Sequence, residues 1–153
     1  MKDVEWIGLD TNVLIYADDP SSPNHLKAKS YLEDALRGSL NICLSHQILA
    51  EYFSVITSPK IVKSPLRVED AKERILFLNK TRAIKKIYPK RSTLKRCVKF
   101  CATKNIVGVR IFDALYATTL LDNRVQKLLT QNVKDFTPFE ELGLNLINPF
   151  SGS

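Results

Sequence analysis

The sequence is short of the residues that mark several common protein classes. Its 153 residues include only five Gly and three Cys, which argues against a collagen-like or low-complexity chain and against a disulfide framework. No apolar run approaches the roughly 18–20 residues of a membrane span, and residues 1–5 lack the apolar core of a signal peptide. We therefore expect a protein that stays in the cytoplasm and has no membrane-spanning segment.

Metal and phosphate motifs built on histidine, cysteine or glycine are also missing. His25 and His46 are the only histidines and do not have the spacing of metal ligands. Cys97 and Cys101 are four residues apart, but no second Cys or His pair completes a zinc site. No glycine-rich loop could cradle a phosphate. Any chemistry of this chain must therefore use other side chains, and its thiols are expected to be reduced.

Short apolar segments alternate with helical segments along the chain. The pattern predicts strands over residues 4–9, 40–44, 125–129 and 144–147, with residues 84–88 either a small strand or an extended link. Helices are predicted after residue 12, near residues 26–36, over residues 47–56, 68–79, 92–104 and 111–121, and in a short piece that ends at residue 136. This order predicts an α/β fold with three α/β/α layers around a central, mainly parallel sheet. We expect one domain over residues 1–150, followed by a short tail, residues 151–153.

Three carboxylates occur where solvated acids are not expected. Asp10 ends an apolar strand, and Glu51 and Asp113 are each embedded in an apolar helical segment. Removing a carboxylate from water costs several kcal/mol, so a buried acid normally pairs with a base, binds a metal or stays protonated. A fourth acid, Asp135, follows the turn after a late strand. Because parallel strands end at one edge of the sheet, the four acids can gather there, where a divalent cation would relieve their repulsion.

Each acid also has an explanation that needs no metal. Asp10 could cap a helix, Glu51 could line a helix edge or pair with a lysine, Asp113 could pair with Arg110, and Asp135 could lie in an exposed turn. These four explanations would have to hold independently, whereas one metal site explains the whole set. Carboxylate ligands without Cys or His favour Mg²⁺ or Mn²⁺ over zinc.

The acids stand in four short segments whose order is informative. The segments are Leu9-Asp10-Thr11-Asn12-Val13-Leu14, Ala50-Glu51, Phe112-Asp113-Ala114-Leu115-Tyr116-Ala117-Thr118 and Leu129-Thr130-Gln131-Asn132-Val133-Lys134-Asp135-Phe136. Together they resemble PIN-domain ribonucleases, and more narrowly the VapC-type toxins of prokaryotic toxin–antitoxin pairs. The resemblance covers nearly the whole chain. It implies a PIN-like fold, an RNA substrate cut to leave a 5′-phosphate and a 3′-hydroxyl, a protein antitoxin as partner and a homodimer.

By this resemblance Asp10, Glu51 and Asp113 carry over as metal-coordinating and catalytic residues. One or two Mg²⁺ or Mn²⁺ ions, held mainly by Asp10 and Asp113, would bind a phosphodiester oxygen and lower the pKa of the attacking water. Glu51 or Asp135 would bind a second ion or accept the proton of that water. The hydroxyl of Thr11 is expected to orient a carboxylate.

The final loop departs from the family pattern. Many relatives carry an acid two residues after the loop threonine, Thr130, and this chain has Asn132 at that position. Asn132 offers a neutral carbonyl oxygen as a ligand, and Asp135, three residues later, offers the missing charge. Which of the two completes the site stays open. Thr130, like Thr11, is expected to orient a carboxylate.

Other functions remain open. A different metal-dependent phosphotransfer or phosphatase domain could also end its first strand in Asp, but no second Asp follows two residues after Asp10. A PIN-like module that only binds RNA or protein would be expected to lose some of the acids, and all three core acids, Asp10, Glu51 and Asp113, are present. An RNA-processing nuclease without an antitoxin would keep them. A short open reading frame that overlaps this one, or lies just upstream, would favour the toxin.

The positive charge is concentrated in one segment. The chain has 23 Lys and Arg against 16 Asp and Glu, a net charge of +7, and residues 74–112 contain twelve of these bases and no acid. Bases that repeat every four residues disfavour an isolated helix unless an anion is near. We predict that this segment contacts the RNA backbone beside the metal centre; the alternative is a solvated helical face. The predicted RNA contacts are Lys90, Arg91, Lys95, Arg96 and Lys99.

Overall fold

The computed structural model describes residues 4–151. Within this range the strands are β1 (Ile7–Leu9), β2 (Ile42–Ser45), β3 (Ile84–Ile87), β4 (Lys127–Leu129) and β5 (Asn145–Ile147). The α-helices are α1 (Thr11–Asp18), α2 (His25–Leu36), α3 (His46–Ile56), α4 (Val68–Lys80), α5 (Thr93–Lys104), α6 (Ile111–Asp122) and α7 (Val133–Phe136). Two 3₁₀ helices, Gly108–Arg110 and Thr137–Leu142, precede α6 and follow α7.

All five strands belong to one parallel sheet in the order β3-β2-β1-β4-β5. Two groups of packed helices, α1 to α4 and α5 to α7, accompany the sheet. The predicted three-layer α/β/α fold with a parallel sheet is therefore confirmed. Because the strands are parallel, their carboxyl ends meet at one edge, which we call the carboxyl edge, and their amino ends meet at the opposite amino edge.

Apolar side chains project from both faces of the central strands, and the helices on either side bury them. Leu9, Ile42, Leu44 and Leu128 are fully buried, as expected for a parallel sheet covered by helices on both sides. The adjoining helices add fully buried side chains such as Leu120. The carboxyl end of β1 is therefore held rigidly in the middle of the sheet.

Several boundaries differ from the predictions. The first strand begins at Ile7 rather than at residue 4, and residues 84–88 contain a genuine strand, β3. The 3₁₀ helix Thr137–Leu142 was not predicted; it ends at Gly143, whose φ of 100° favours glycine. Of the predicted tail, only residue 151 is described, and residues 1–3 of the N-terminal segment also lie outside the described residues. No helix between residues 4 and 151 has the length and apolar character needed to cross a membrane.

Gly8 in β1 lies directly against side chains of α6. A Cβ added at Gly8 would lie 2.6 Å from Leu120 Cδ2 and 3.2 Å from the Tyr116 hydroxyl, which donates a hydrogen bond to Leu9 O at 2.6 Å. Leu120 and Tyr116 are buried and have little room to shift. We expect Gly8→Ala to lower the free energy of unfolding by about 1–3 kcal/mol through overpacking, as measured by urea denaturation.

The double variant Gly8→Ala/Leu120→Ala is the control for this explanation. Shortening Leu120 removes the closest obstacle, so the double variant should lose less stability than the sum of the two single variants. Simple additivity would show that the Leu120 contact is not the cause.

Candidate metal centre and active site

Asp10 lies at the carboxyl end of β1 and caps α1. Its backbone N–H donates to Leu129 O of β4 at 3.0 Å. Its carboxylate accepts hydrogen bonds from Thr11 N at 2.8 Å, Thr130 Oγ1 at 2.7 Å and Asn12 Nδ2 at 3.3 Å. The residue is only 7% exposed. The capping explanation therefore holds, and it also fixes this carboxylate at the edge of the sheet where the site was expected.

Burial raises the pKa of Asp10 above its ordinary value. The hydrogen bonds from Thr130 and Thr11 oppose this shift, because they stabilise the charged carboxylate. The negative charges of Glu51 and Asp135 raise the pKa of Asp10 further. Asp10 is therefore a buried carboxylate whose charged form is stabilised by hydrogen bonds, and within residues 4–151 no Lys or Arg forms an ion pair with it.

Glu51 is carried by α3, whose start is fixed by a side-chain cap in which Ser45 Oγ accepts from Ile48 N at 3.2 Å. One carboxylate oxygen of Glu51 accepts from Thr11 Oγ1 at 3.0 Å, and the other accepts from Gln47 Nε2 at 3.0 Å. The Thr11 hydroxyl therefore contacts Glu51, in line with its predicted orienting role, and the Thr11 backbone N–H donates to Asp10.

Gln47 is a site residue that the sequence did not reveal. Besides Glu51, its side-chain amide contacts Phe112 O at 2.7 Å, at the start of α6. It therefore joins the two helices that carry Glu51 and Asp113. The only available signal was that Gln47 precedes Glu51 by one helical turn, so the two side chains share a face.

Asp113 lies in the first turn of α6 and is half-buried. Burial, which has the largest effect, and the charges of Asp10, Asp135 and Glu51 together raise its pKa to about 7, and only Arg110 opposes them. Within residues 4–151 the Asp113 carboxylate forms no ion pair. The alternative in which Asp113 is salt-bridged to Arg110 is therefore not observed.

The final loop brings a fourth acid to the same edge. Asp135 is half-buried in α7, and its charge raises the pKa of both Asp10 and Asp113. Thr130 is fully buried, and its hydroxyl accepts from Asn132 N at 2.9 Å while donating to Asp10. The side chain of Asn132 is exposed. Asp135 thus belongs to the group of acids by its electrostatic influence, and the backbone of Asn132 helps to orient Thr130.

Two hydrogen bonds join the loop after β4 to α1 beside this site. The hydroxyl of Tyr16 donates to Gln131 Oε1, and Gln131 N donates to Asn12 Oδ1 at 3.3 Å. Tyr16 also packs edge-on against Phe150, with ring centroids 5.2 Å apart. The loop after β4 is therefore tied to α1 on two sides of Asp10.

The donor chemistry of this group fits a divalent cation. The charges of Glu51 and Asp135 raise the pKa values of Asp10 and Asp113, and Arg110 is the one base whose charge acts on Asp113. In the described part of the chain, no three His, Cys, Asp or Glu side chains are arranged so that they could hold a metal ion as they are. This is understandable, because bare carboxylates repel one another and hydrogen bonds hold Asp10 and Glu51 in place. Oxygen donors of this kind suit Mg²⁺ or Mn²⁺.

One of the predicted RNA contacts, Arg96, lies at the far end of α6 from Asp113. Arg96 pairs with Asp122 at 2.5 Å, and Thr93 Oγ1 donates to the same carboxylate at 2.5 Å. Asp122 ends α6 whereas Asp113 is in its first turn, so the two are separated by about 14 Å of helix. The start of α5 therefore borders the far end of α6, whereas Arg110, at the other end of the basic segment, acts on Asp113. The remaining predicted contacts are exposed: Lys90, Arg91, Lys95 and Lys99.

The helix α5 begins at Thr93, so Arg91 lies in the preceding turn. The spacing of four residues along one helix therefore applies to Lys95 and Lys99 but does not include Arg91. Binding of RNA by this segment stays a prediction.

Known proteins share both the sequence pattern and the fold. A family model described as the PIN domain matches residues 7–137. Ribonuclease VapC24 of Mycobacterium tuberculosis H37Rv is 28% identical over 135 residues, which are 87% of this chain and 90% of that protein. Ribonuclease VapC48 of the same strain is 25% identical over 143 residues, which are 94% of this chain and 97% of that protein.

Solved structures agree with the fold. The crystal structure of Mycobacterium tuberculosis VapC20, described as a Sarcin-Ricin loop cleaving toxin, superposes with a TM-score of 0.64 at 12% identity, over 94% of this chain and 99% of that one. A chain of VapBC-1 from nontypeable Haemophilus influenzae gives 0.65 at 20% identity, over 94% and 98%. The family match runs from the first residue of β1 through α7 and includes all four acids. The chain therefore belongs to the PIN domain family.

Proposed function

We propose that this protein is a metal-dependent ribonuclease that hydrolyses RNA phosphodiester bonds, and that it is the toxin of a VapC-type toxin–antitoxin pair. The observation that carries the nuclease proposal is the grouping of the four acids at the carboxyl edge of the sheet. Burial and the charges of Asp10, Asp135 and Glu51 raise the pKa of Asp113 to about 7, which is consistent with that grouping. Perturbed carboxylates gathered at the carboxyl edge of a parallel sheet are typical of a catalytic site. The names of the VapC relatives support RNA as the substrate.

The side chains would divide the work according to how they are held. Hydrogen bonds fix both oxygens of Asp10 and of Glu51. Within residues 4–151 no Lys or Arg forms an ion pair with the carboxylates of Asp113 and Asp135, so both are available to a ligand. A Mg²⁺ or Mn²⁺ ion held by Asp10 and Asp113 would supply electrostatic stabilisation of the phosphodiester and lower the pKa of a water. Glu51 or Asp135 would accept the proton of the attacking water, and cleavage would leave a 5′-phosphate and a 3′-hydroxyl.

Removal of divalent cations is the direct test of the nuclease proposal. The purified protein should cleave single-stranded RNA with added Mg²⁺ or Mn²⁺, lose all cleavage in excess EDTA and recover it when the cation is restored. Asp10→Asn, purified in the same way, is the control against a contaminating nuclease, because it should stay inactive with the cation present. Undiminished cleavage in EDTA would contradict the proposal.

Thr130 is expected to act on metal affinity through Asp10. The change Thr130→Val keeps the shape of the side chain but removes the hydroxyl that donates to Asp10 and accepts from Asn132 N. We expect Mn²⁺ affinity, measured by calorimetry, to fall about 10–100-fold, which is the usual effect of losing such an orienting contact.

A matched control for Thr130 is available on α6. Thr119 is also buried, but its hydroxyl donates to Leu115 O of its own helix at 2.7 Å. Thr119→Val should therefore leave Mn²⁺ affinity unchanged. Equal affinities in the two variants would refute the role of Thr130.

The toxin role predicts a protein partner. One of the similar solved structures is a toxin–antitoxin complex from Klebsiella pneumoniae. We expect an antitoxin to insert a segment near the acids and to present an Arg to them, and we expect the toxin to form a homodimer that gel filtration would detect. Expression of the chain should arrest growth, and co-expression of the adjacent short reading frame should relieve the arrest. Harmless expression of an active nuclease would instead indicate an RNA-processing enzyme.

A further inference from the structure

A second polar groove lies across the sheet from the acids. It has a volume of about 830 Å³ and is formed at the amino edge by residues before β1, at the start of β4 and β5, and after α6. We call it the amino-edge groove. Its lining includes Trp6, Lys85, Asn123, Arg124, Gln126 and Lys127.

The amino-edge groove carries an excess of positive charge. Among its described lining residues Glu5 is the one acid, and it pairs with Lys127. Within residues 4–151 neither Lys85 nor Arg124 forms an ion pair, and both are exposed. Arg124 has a φ of 61°, in the region that non-glycine residues rarely adopt. Two cations are therefore available to an anion in this groove.

An aromatic ring stands beside these cations. Trp6 is half-buried, and the Lys85 ammonium lies 5.0 Å from the centroid of its ring. The amide side chains of Asn123 and Gln126 add neutral donors and acceptors. A ring, exposed cations and amides together can contact a base, a phosphate and the edge of a base.

The basic segment of the sequence continues this groove. Asn123, which lines the groove, donates from its side chain to Tyr88 O at 2.9 Å. Lys90 N donates to Thr93 Oγ1 at 2.7 Å, and Thr93 in turn donates to Asp122. The exposed bases of residues 90–95 therefore lie next to the end of α6, where the groove begins.

We propose that the amino-edge groove is a second nucleic-acid site that binds single-stranded RNA, with Lys85 and Arg124 on phosphates and a base stacked on Trp6. A positively charged groove with an aromatic platform is the arrangement that single strands require. On binding, Lys85 turns from the indole to a phosphate and the base takes its place on the ring. The choice of RNA over another polyanion rests on the proposed ribonuclease function.

The test uses Trp6 as its own reporter, because it is the only tryptophan in the chain. The whole protein is titrated with a single-stranded oligouridylate of about ten nucleotides, in EDTA so that cleavage does not interfere. We expect quenching of Trp6 fluorescence and an affinity that falls as salt is raised. Absence of quenching would overturn the proposal.

The variant Lys85→Gln/Arg124→Asn removes both free cations. Asn tolerates a positive φ better than most residues, so position 124 should not gain strain. We expect affinity to fall at least about 10-fold and the slope of log affinity against log salt to fall by about 1.4, since each contact on a single strand contributes about 0.7. The matched control Lys60→Gln/Lys63→Gln removes two exposed charges between α3 and α4 and should change neither value.

Two comparisons separate this proposal from the nuclease proposal. In Asp113→Asn the oligouridylate should still quench Trp6 fluorescence, with the affinity of the parent. Loss of this quenching would place the oligonucleotide at the acids and overturn the second site. Inorganic polyphosphate should bind without the quenching that stacking causes, and equal quenching would replace RNA by a general polyanion and overturn the proposal. If RNA quenches Trp6 fluorescence in the parent protein but the protein never cleaves RNA, the nuclease proposal fails and the amino-edge groove remains a binding site. If the parent cleaves RNA without quenching of Trp6 fluorescence, the second site fails and the nuclease proposal stands.

Discussion

Replacement of Asp113 by asparagine is expected to lower RNA cleavage by about 10³-fold and to stabilise the metal-free protein at pH 8. The activity falls because a ligand of the cation is lost, and such stabilisation is commonly worth several kcal/mol, where about 4 kcal/mol corresponds to 10³ in rate. The stability rises because the like charges of Asp10, Asp135 and Glu51, and the burial of Asp113, disfavour its ionised form.

The size of the stability gain follows from the position of Asp113. The residue is half-buried, so water screens part of the repulsion, and we expect a gain of about 1–2 kcal/mol, or about 2–8 °C in Tm. Single-turnover cleavage assays and thermal unfolding in EDTA measure the two effects. A variant that is less stable than the parent would show that the carboxylate contributes to the fold instead of opposing it.

Asp70→Asn is the matched control for Asp113→Asn. Asp70 occupies the same position of its helix, the third residue of α4, but it is exposed and pairs with Arg67 at 3.0 Å. Arg67 lowers its pKa through a hydrogen bond. Loss of that charge should reduce stability slightly and leave cleavage unchanged. The two variants should therefore move stability in opposite directions.

The free energy of unfolding of the metal-free protein is expected to fall as the pH rises from about 4 to 8. The pKa of Asp113 is about 7 in the folded protein, against 3.8 for an ordinary Asp side chain. Between these two pH values the folded protein therefore holds a proton that the unfolded chain has released. The pKa of Asp10 is also raised, which has the same sign. Since stability falls with pH wherever the folded state binds more protons, the loss is complete just above the pKa of Asp113.

Chemical denaturation at a series of pH values in EDTA measures this slope. Asp113→Asn should remove most of it. Addition of Mn²⁺ should restore stability at pH 8, by about 2.7 kcal/mol at one hundred times the dissociation constant, and have little effect at pH 5, where a proton competes for Asp113. An equal effect of Mn²⁺ at both pH values would show that it binds elsewhere.

The chemistry of the site could be predicted because the acids conflict with their surroundings. Asp10, Glu51 and Asp113 interrupt apolar segments, and a carboxylate in such a place needs a compensating partner. The parallel sheet followed from the alternation of strands and helices, and it alone placed the four acids at one edge. These predictions depend on local patterns and on one rule of topology, both of which can be read from a sequence.

The position of the basic segment could not be predicted in the same way. Charge spacing indicates a helix face, but the placement of that face depends on how α5 packs against α6. The Arg96 pair with Asp122 fixes the start of α5 at the end of α6 that is remote from Asp113. Gln47 was missed for a related reason, because its bond to Phe112 O joins residues 65 positions apart in the chain.

The close approach of α6 at Gly8 also determines where the chain can change in length. The spacing between Asp10 and Asp113 depends on a direct contact between β1 and α6. Exposed Lys60, between α3 and α4, is therefore expected to accept an insertion that leaves the acids in place. A peptide tag or fluorophore at this loop would follow the protein in cells while the catalytic spacing stays that of the parent.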